Sequence, residues 1–249
     1  MKMMKNAGDG FGSIPSERMR VGGSSPTPAG PAFFDISTMI FLPRCIGCDA
    51  WLDNQNNAIL ICPACIARLN FLNTPAFLPQ LKKRHFEETF SCLAYEGLAL
   101  DWIHQYKFHH KLYLVGPLAA LLSGMRVEWK NYDAFVYVPL HWWRQMRRGF
   151  NPSHLLAHAL GKKFGTPVLH CLKKSRATTP QTKLTQKERL ENVHNAFSFR
   201  SRQIKHIADK KLLLIDDVLT TGSTINECAK VLKKSGAGRV DVLTLARTI

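Results

Sequence analysis

Two adjacent carboxylates stand at the end of an apolar run in KLLLIDDVLTTGST, Lys211 to Thr224, and a hydroxyl-rich turn with one glycine follows them. In open α/β sheets, strand ends and helix N-termini converge on the ligand. Successive N–H groups of such a turn can form a cradle for phosphate, while the carboxylates can accept hydrogen bonds from sugar hydroxyls or approach a metal. The pattern predicts a ribose phosphate site formed by Asp216, Asp217, Thr220, Thr221, Gly222, Ser223 and Thr224.

Other known motifs match this segment less well. A Walker A loop needs a lysine that the turn lacks, and a phosphoaspartyl enzyme needs D-x-D, whereas these aspartates are adjacent. A receiver domain carries its acidic pair early, with several strand–helix repeats still to come, but only one strand is predicted after this turn. A capped helix after an ordinary strand accounts for Gly222 and Ser223 and leaves the aspartates without a role. That alternative stays open.

Four cysteines form a second constellation, two C-x₂-C pairs separated by thirteen residues: Cys45, Cys48, Cys62 and Cys65. Each pair can deliver two thiolates to one side of a tetrahedral Zn²⁺. A redox C-x-x-C normally occurs singly near a helix start, so two matched pairs favour metal binding. With four protein ligands, the zinc would be structural and not catalytic. The remaining cysteines, Cys92, Cys171 and Cys228, are predicted to be small buried hydrophobic residues.

The chain is strongly basic, with 34 Lys and Arg against 18 Asp and Glu in 249 residues, a net charge of +16. Such an excess favours polyanionic partners, either nucleic acid or phosphorylated metabolites. Trp142, Trp143 and Phe150 are interleaved with Arg144, Arg147 and Arg148, a combination that can bind single-stranded nucleic acid. The same residues could instead line a pyrophosphate loop, and the tryptophans could belong to the core.

The elements that must position these groups alternate between strand and helix. KKLLLIDDV, STINECAKVLKKSGAG and RVDVLTLAR predict a βαβ unit, with Ser223 or Thr224 available as N-cap and Gly236 or Gly238 as C-cap. YDAFVYVPL predicts a strand, and PSHLLAHALGKKFG predicts a helix with Pro152 near its first turn and Gly165 beyond its end, which repeats the arrangement. Apolar strands with little alternation predict a parallel sheet covered on both faces. The predicted fold class is therefore α/β, an open parallel sheet with flanking helices.

Three regions are predicted along the chain. Residues 1–38 are rich in Gly, Ser and Pro and are expected to be a disordered leader, whose loss by a start at Met39 would remove nothing patterned. Residues 40–70 form the cysteine module, and 85–249 form the α/β domain. No apolar run is long enough to span a bilayer, so we expect no membrane insertion. The cysteine usage suits a reducing compartment, and the cytoplasm is the expected location.

The chain resembles the ComF/GntX family, phosphoribosyltransferase-like proteins of DNA uptake and natural competence. The resemblance rests on CIGC…CPAC, VPLHWWRQMRRGFN, RATTPQTKLTQKERLENVHNAF and IDDVLTTGST…GAGRVDVLTLAR, in this order. IDDVLTTGST is similar to the phosphoribosyl-pyrophosphate (PRPP) signature of type I phosphoribosyltransferases. The resemblance implies a type I phosphoribosyltransferase-like sheet preceded by a zinc-ribbon-like module.

The resemblance also implies roles for individual residues. Asp216 and Asp217 would contact the ribose hydroxyls of PRPP, and Thr220, Thr221, Gly222, Ser223 and Thr224 would hold its 5′-phosphate. Mg²⁺ would arrive with the pyrophosphate, and Arg147 and Arg148, which follow the expected pyrophosphate loop, would bind it as guanidinium forks. RGFNP departs from the family's RGFNQ at Pro152, so any contact of that glutamine is absent.

The segment from Arg176 to Phe197 resembles the flexible loop that closes over the active site in these folds. Its matching positions are Arg176, Gln181, Arg189 and Asn192. Closure would exclude water from an oxocarbenium-like transition state at the ribose, and the loop is expected to be poorly ordered without ligand. An ordinary charged helix over TQKERLENV is the alternative.

Two functions follow from these features. The favoured one is a DNA-uptake or DNA-utilisation protein that binds PRPP, contacts single-stranded DNA and works with competence-machinery proteins. The alternative is an active phosphoribosyltransferase that joins PRPP to a nucleobase or another nucleophile, with Asp216 and Asp217 as its catalytic residues. Whether the protein is an enzyme stays open at this point.

Overall fold

The protein is described by a computed structural model that covers residues 43–52, 59–72, 74–76, 78–79, 81, 83–175 and 195–249. The leader 1–38 and the loop residues Arg176, Gln181, Arg189 and Asn192 lie outside the described residues.

Strands and helices alternate along the described chain as the sequence predicts. The strands are β1 (Thr89–Ala94), β2 (Ala134–Tyr137), β3 (Val168–Leu169), β4 (Leu172–Lys174), β5 (Phe197–Phe199), β6 (Lys211–Leu219) and β7 (Arg239–Arg247). The helices are α1 (Pro63–Ala67), α2 (Gly97–Phe108), α3 (Val115–Ser123), α4 (Trp142–Arg148), α5 (Pro152–Phe164) and α6 (Ser223–Lys234). Short 3₁₀ turns cover Leu112–Leu114, Trp129–Asn131 and Ser201–His206.

Five of these strands form one sheet in the order β1-β7-β6-β2-β3, and every pair in it is parallel. Strands β4 and β5 pair antiparallel in a separate small sheet. The expected α/β class with an open parallel sheet is confirmed. The segment before α2 contributes the edge strand β1 to this sheet.

The sheet is apolar on both faces because β6 and β7 alternate between two cores. Leu213 and Ile215 pack into one cluster together with residues of α2, α3 and α5. Leu212 and Leu214 point the other way, into a cluster with α6, β4 and β5. Successive side chains of a strand point to opposite faces, so a continuous apolar run is the pattern that a strand covered on both sides requires.

Helix α5 shows how local sequence sets the element boundaries near the site. Asn151 is its N-cap and accepts a hydrogen bond from the backbone N–H of Ser153, and Pro152 follows in the first turn, where its missing N–H costs nothing. Gly165, at φ 69°, ends the helix as expected. The Asn151 side chain also donates to the carbonyl of Val138, 3.0 Å away, which fixes α5 against the end of β2.

None of the helices in the described part of the chain combines the length and the apolarity needed to cross a membrane.

Candidate functional site

The acidic pair lies where the sheet changes its direction of winding. From β6 the chain passes through α6 to β7 on one side, and from β2 it passes through α5 to β3 on the other. The switch point therefore lies between β6 and β2, the position where open α/β sheets bind ligands. Strand β2 pairs with β6 only as far as Ile215, so Asp216 and Asp217 follow directly on the last shared pair. The strand does not stop at the aspartates, because β7 continues to pair with β6 up to Leu219.

Asp216 is held by hydrogen bonds to one of its carboxylate oxygens. The hydroxyl of Ser153, at the start of α5, donates to Oδ1 over 2.8 Å, and the backbone N–H of Asp217 donates to the same atom over 2.9 Å. Burial raises the pKa of Asp216 to about 7, and the charge of Asp217 adds to the rise. The hydrogen bonds and the charge of Lys107 act in the opposite direction. Asp216 therefore changes its charge near neutral pH.

Asp217 forms an ion pair that the sequence did not reveal. The ammonium of Lys107, from the last turn of α2, lies 2.8 Å from Asp217 Oδ1, and both side chains are only about 15% exposed. Arg148 lies on the same side, with its guanidinium 5.0 Å above the ring of Phe108. Burial lowers the pKa of Arg148, while the charge of Asp217 acts to raise it. One carboxylate of the pair is thus compensated by cations and the other by hydrogen bonds.

The hydroxyl-rich turn depends on Gly222. This residue has φ 75° and ψ −3°, a left-handed conformation that favours glycine, and it occupies the N-cap position of α6. The expectation that Ser223 or Thr224 would be the N-cap is therefore wrong. The Ser223 hydroxyl lies 2.7 Å from the Thr221 hydroxyl, and both residues are buried. At the other end of α6, Gly236 has φ 99° and follows the C-cap Ser235, close to its expected place.

A segment before β1 covers the turn from outside, which the sequence did not predict. A Cβ atom added at Gly222 would lie 3.1 Å from Leu78 Cδ1 and 3.3 Å from Leu81 Cδ1. Asn226, in the first turn of α6, accepts a hydrogen bond from the backbone N–H of His85 and donates to the carbonyl of Lys83, both at 2.9 Å. These long-range contacts have no signature in local sequence pattern.

The three aromatic residues that are close in the sequence lie in different surroundings: Trp142 and Trp143 belong to α4, and Phe150 follows this helix. Trp142 and Trp143 are 61% and 59% exposed, so neither belongs to the core. Phe150 instead lies against Tyr106, with ring centroids 5.7 Å apart, on the side of α2. Arg147 is exposed, whereas Arg148 is half-buried near Asp217.

The four cysteines of the N-terminal pairs come together as their spacing predicts. Their sulfur atoms all lie within 4.8 Å of one another, and Cys48 Sγ is 3.7 Å from Cys62 Sγ. A tetrahedron with Zn–S bonds of about 2.3 Å has sulfur atoms about 3.8 Å apart, so the cluster fits this ion. The N–H groups of Gly47 and Cys62 donate to Cys45 Sγ. Burial alone would raise the pKa of Cys45, but these backbone donors outweigh it and lower the pKa to about 6.

The cysteine cluster is packed onto α2 through Gly47 and Trp102. A Cβ atom at Gly47 would lie 2.8 Å from Cys65 Sγ and 3.1 Å from Trp102 Cζ2, so only glycine fits there. The Trp102 indole N–H donates to the carbonyl of Ile46 over 3.2 Å. The cysteines that were predicted to be buried are so: Cys92, Cys171 and Cys228 are each at most 2% exposed.

Comparisons with known proteins agree with this architecture. The sequence profile described as "Phosphoribosyl transferase domain" matches residues 146–248. A looser likeness links the fold to the purine phosphoribosyltransferase from Pyrococcus horikoshii, with 57% of this chain and 73% of that chain covered, 18% identity and a TM-score of 0.30. The parallel sheet and the profile match define a phosphoribosyltransferase-type α/β domain.

Curated relatives narrow this class to a family. Competence protein F of Haemophilus influenzae is 35% identical over 152 residues, which are 58% of this chain and 66% of that protein. DNA utilization protein YhgH of Escherichia coli strain K12 is 30% identical over 205 residues, which are 76% of this chain and 85% of that protein. The chain belongs to the ComF/GntX family of competence and DNA-utilisation proteins.

Proposed function

We propose that this protein acts in DNA uptake or DNA utilisation, that it binds PRPP at the carboxyl end of β6, and that it contacts single-stranded DNA. The observation that carries the proposal is the position of Asp216 and Asp217. They lie at the switch point between β6 and β2 and are followed at once by the turn that begins α6. The names of the relatives support the link to DNA.

The proposed ligand geometry follows from the chemistry of this edge. The ribose hydroxyls of PRPP donate to Asp216 and Asp217. The 5′-phosphate lies on Thr220, Thr221, Gly222, Ser223 and Thr224 at the positive end of α6, where N–H groups and the helix dipole favour an anion. Arg147 and Arg148 hold the pyrophosphate, with Mg²⁺ as its counter-ion. Arg176, Gln181, Arg189 and Asn192 belong to the loop that closes over the bound ligand.

Lys107 makes the empty and the bound site differ. Its ion pair with Asp217 compensates a carboxylate that would otherwise stand beside Asp216 with like charge. A sugar that donates two hydroxyl groups to the pair competes with this ammonium. The site is therefore charge-compensated before PRPP arrives, and Lys107 turns toward the pyrophosphate when the ribose is bound.

The cysteine cluster holds a structural Zn²⁺ in this proposal. Four thiolates leave the ion no open position, so it stabilises the fold and takes no part in chemistry. The proposed domains are a leader at 1–38, the zinc module at 40–70 and the phosphoribosyltransferase-like domain at 85–249. Thiolate zinc ligands are consistent with a reducing cytoplasm, where competence-machinery proteins are the proposed protein partners.

Activity as a phosphoribosyltransferase is the second candidate, and the pKa of Asp216 favours it. A carboxylate that titrates near pH 7 can accept a proton from an incoming nucleophile and return it. Incubation with PRPP, Mg²⁺ and a panel of nucleobases tests this candidate. Pyrophosphate release that depends on one base, and that Asp216→Asn abolishes, would support it, whereas no release with any base would count against it.

Calorimetric titration with PRPP and Mg²⁺ tests the primary proposal. The wild type is expected to bind, and the double variant Asp216→Asn, Asp217→Asn is expected to lose binding. Asp133→Asn is the matched control, because Asp133 is an aspartate at the opposite end of the sheet, paired with Lys210. Equal affinity of the double variant and the control would remove the site assignment. For the DNA contact, anisotropy with single-stranded DNA should show binding that weakens steeply as salt rises.

A further inference from the structure

A second cleft opens beside the acidic pair, at the end of β2. Its volume is about 300 Å³, and its walls include Tyr137, Trp142, His154, His170, Lys173 and Arg200. The volume is at the lower end of the range for small-molecule sites. The cleft and the acidic pair are neighbours across the start of α5, because Ser153 faces Asp216 while the next residue, His154, lines the cleft.

Aromatic rings form one side of the cleft. The ring centroid of Tyr137 lies 4.7 Å from that of His154 and 5.4 Å from that of His170. Burial lowers the pKa of both histidines, with Arg200 adding to the effect at His170, so both imidazoles are neutral at pH 7. A neutral imidazole presents one donor and one acceptor. Flat rings with paired donors and acceptors suit the face and edge of a nucleobase.

The rim of the cleft is basic. Lys173 and Arg200 are exposed cations at its mouth, Lys174 lies deeper with its ammonium 5.3 Å from the ring centre of Phe197, and no acidic residue is among the described residues that line it. A ligand that carries both an aromatic ring and an anion matches this arrangement.

Trp142 continues the aromatic surface out of the cleft. It lines the cleft and is 61% exposed, and the equally exposed Trp143 stands edge-on to it at 5.9 Å. Helix α4 buries none of its residues, and it carries Arg144 beside the tryptophans but no acid. Aromatic surfaces beside cations bind single strands, whose base faces are available, more readily than duplexes, whose bases are already stacked. An acidic protein could pair with the basic rim, but its carboxylates would not fill the cleft that the aromatic rings line.

We propose that this cleft binds one unpaired nucleotide of a single-stranded nucleic acid. Its base inserts between Trp142 and the imidazole rings of His154 and His170, against which the buried Tyr137 packs, and its phosphate lies at Lys173 and Arg200. The inference rests on the proposed DNA contact, to which it gives a place, and it does not depend on PRPP binding. A free nucleotide shares this chemistry, so the test must separate it from a strand.

The test measures the anisotropy of a labelled oligothymidylate with wild-type protein and variants. Trp142→Ala is expected to raise Kd about 5- to 150-fold, the effect of losing one stacked base, and Trp142→Phe should restore most of the affinity. Trp51→Ala is the matched control, because Trp51 is 56% exposed and stacks on Arg44 at 4.0 Å in the cysteine module. Lys173→Ala with Arg200→Ala should lower the salt slope by about one to two. Thermal unfolding checks that each variant is folded.

The outcomes separate this inference from the proposed function. If the wild type binds no oligonucleotide at low salt, the DNA contact fails and the cleft assignment fails with it. If the wild type binds and Trp142→Ala equals Trp51→Ala, the cleft assignment alone is overturned. The cleft assignment is also overturned if a duplex competes as effectively as a single strand. It is overturned as well if the protein binds thymidine monophosphate but not the oligonucleotide. Saturating PRPP with Mg²⁺ should leave the oligonucleotide Kd unchanged, and displacement by PRPP would assign the cleft to the PRPP site instead.

Discussion

Ser153→Ala should shift the pH dependence of the site, because Ser153 donates the hydrogen bond that favours the ionised form of Asp216. A hydrogen bond to a charged group contributes about 1.5–3 kcal/mol, and one pKa unit corresponds to about 1.4 kcal/mol. Loss of the bond should therefore raise the pKa of Asp216 by about one to two units, from about 7 in the wild type. The N-cap of α5 stays in place, since Asn151 provides it.

The shift has a defined effect on PRPP affinity if ribose hydroxyls donate to ionised Asp216. At pH 7, the ionised fraction would fall from about one half to between about 1% and 10%, so affinity should drop about 5- to 50-fold. At pH 9, the variant should recover to within about twofold of the wild type. Calorimetric titration from pH 6 to pH 9 measures both. Ser123→Ala is the matched control, because it removes a remote hydroxyl that donates a hydrogen bond to the carbonyl of Ala120. PRPP itself also titrates in this range, and the control corrects for that effect.

Stability without ligand gives an independent readout of the same group. Asp216 has a folded-state pKa above its unfolded value of about 3.9, so the folded protein binds more protons between about pH 4 and pH 7. Stability should therefore fall as pH rises through this window, and in Ser153→Ala the fall should continue to higher pH. The two proteins should differ little in Tm at pH 6 and diverge at pH 9. The same pH midpoint in both would refute the role of Ser153 and the assigned charge state of Asp216.

Three further changes test other parts of the account. Lys107→Met should lower the free energy of unfolding by about 1–3 kcal/mol at pH 8, less than the about 3–5 kcal/mol of a fully buried pair, because both side chains of the Lys107–Asp217 pair are about 15% exposed. The loss should be smaller at pH 5.5, where Asp216 is protonated, and an equal loss at both pH values would contradict this. Gly222→Ala should cost about 1–2 kcal/mol and weaken PRPP binding because of its left-handed φ and its contact with Leu78, whereas Gly116→Ala, with open space around it, should be neutral or stabilising. A chelator should remove one zinc per chain and lower Tm. If the chelator releases no zinc, the prediction is wrong.

The fold could be predicted wherever the sequence carries a local signal. The apolar run of β6 and its neighbour β7, both covered on two faces, indicated a parallel sheet. Pro152 and Gly165 indicated where α5 begins and ends. The cysteine spacing predicted a cluster because each C-x₂-C pair places two sulfur atoms together. The position of the acidic pair at the carboxyl end of β6 could also be predicted, because the two aspartates directly follow the apolar run in the sequence.

The remaining features of the site arise from contacts between distant parts of the chain. Neither the pairing of Lys107 with Asp217 nor the hydrogen bond from Ser153 to Asp216 follows from any spacing, because both depend on how α2 and α5 pack on the sheet. The start of α6 was misplaced because Gly222 competes with the serine and threonine that usually cap helices. Leu78 and Leu81 show no pattern that would have placed them over the turn.

A crystal structure of the protein with PRPP and Mg²⁺ would locate the bound ligand without further inference. We expect the 5′-phosphate on the backbone N–H groups of Thr220 to Thr224 and the ribose hydroxyls within hydrogen-bonding distance of Asp216 and Asp217, with Lys107 moved away from Asp217. PRPP found elsewhere, or no PRPP bound while the Lys107–Asp217 pair remains closed at saturating ligand, would contradict this expectation.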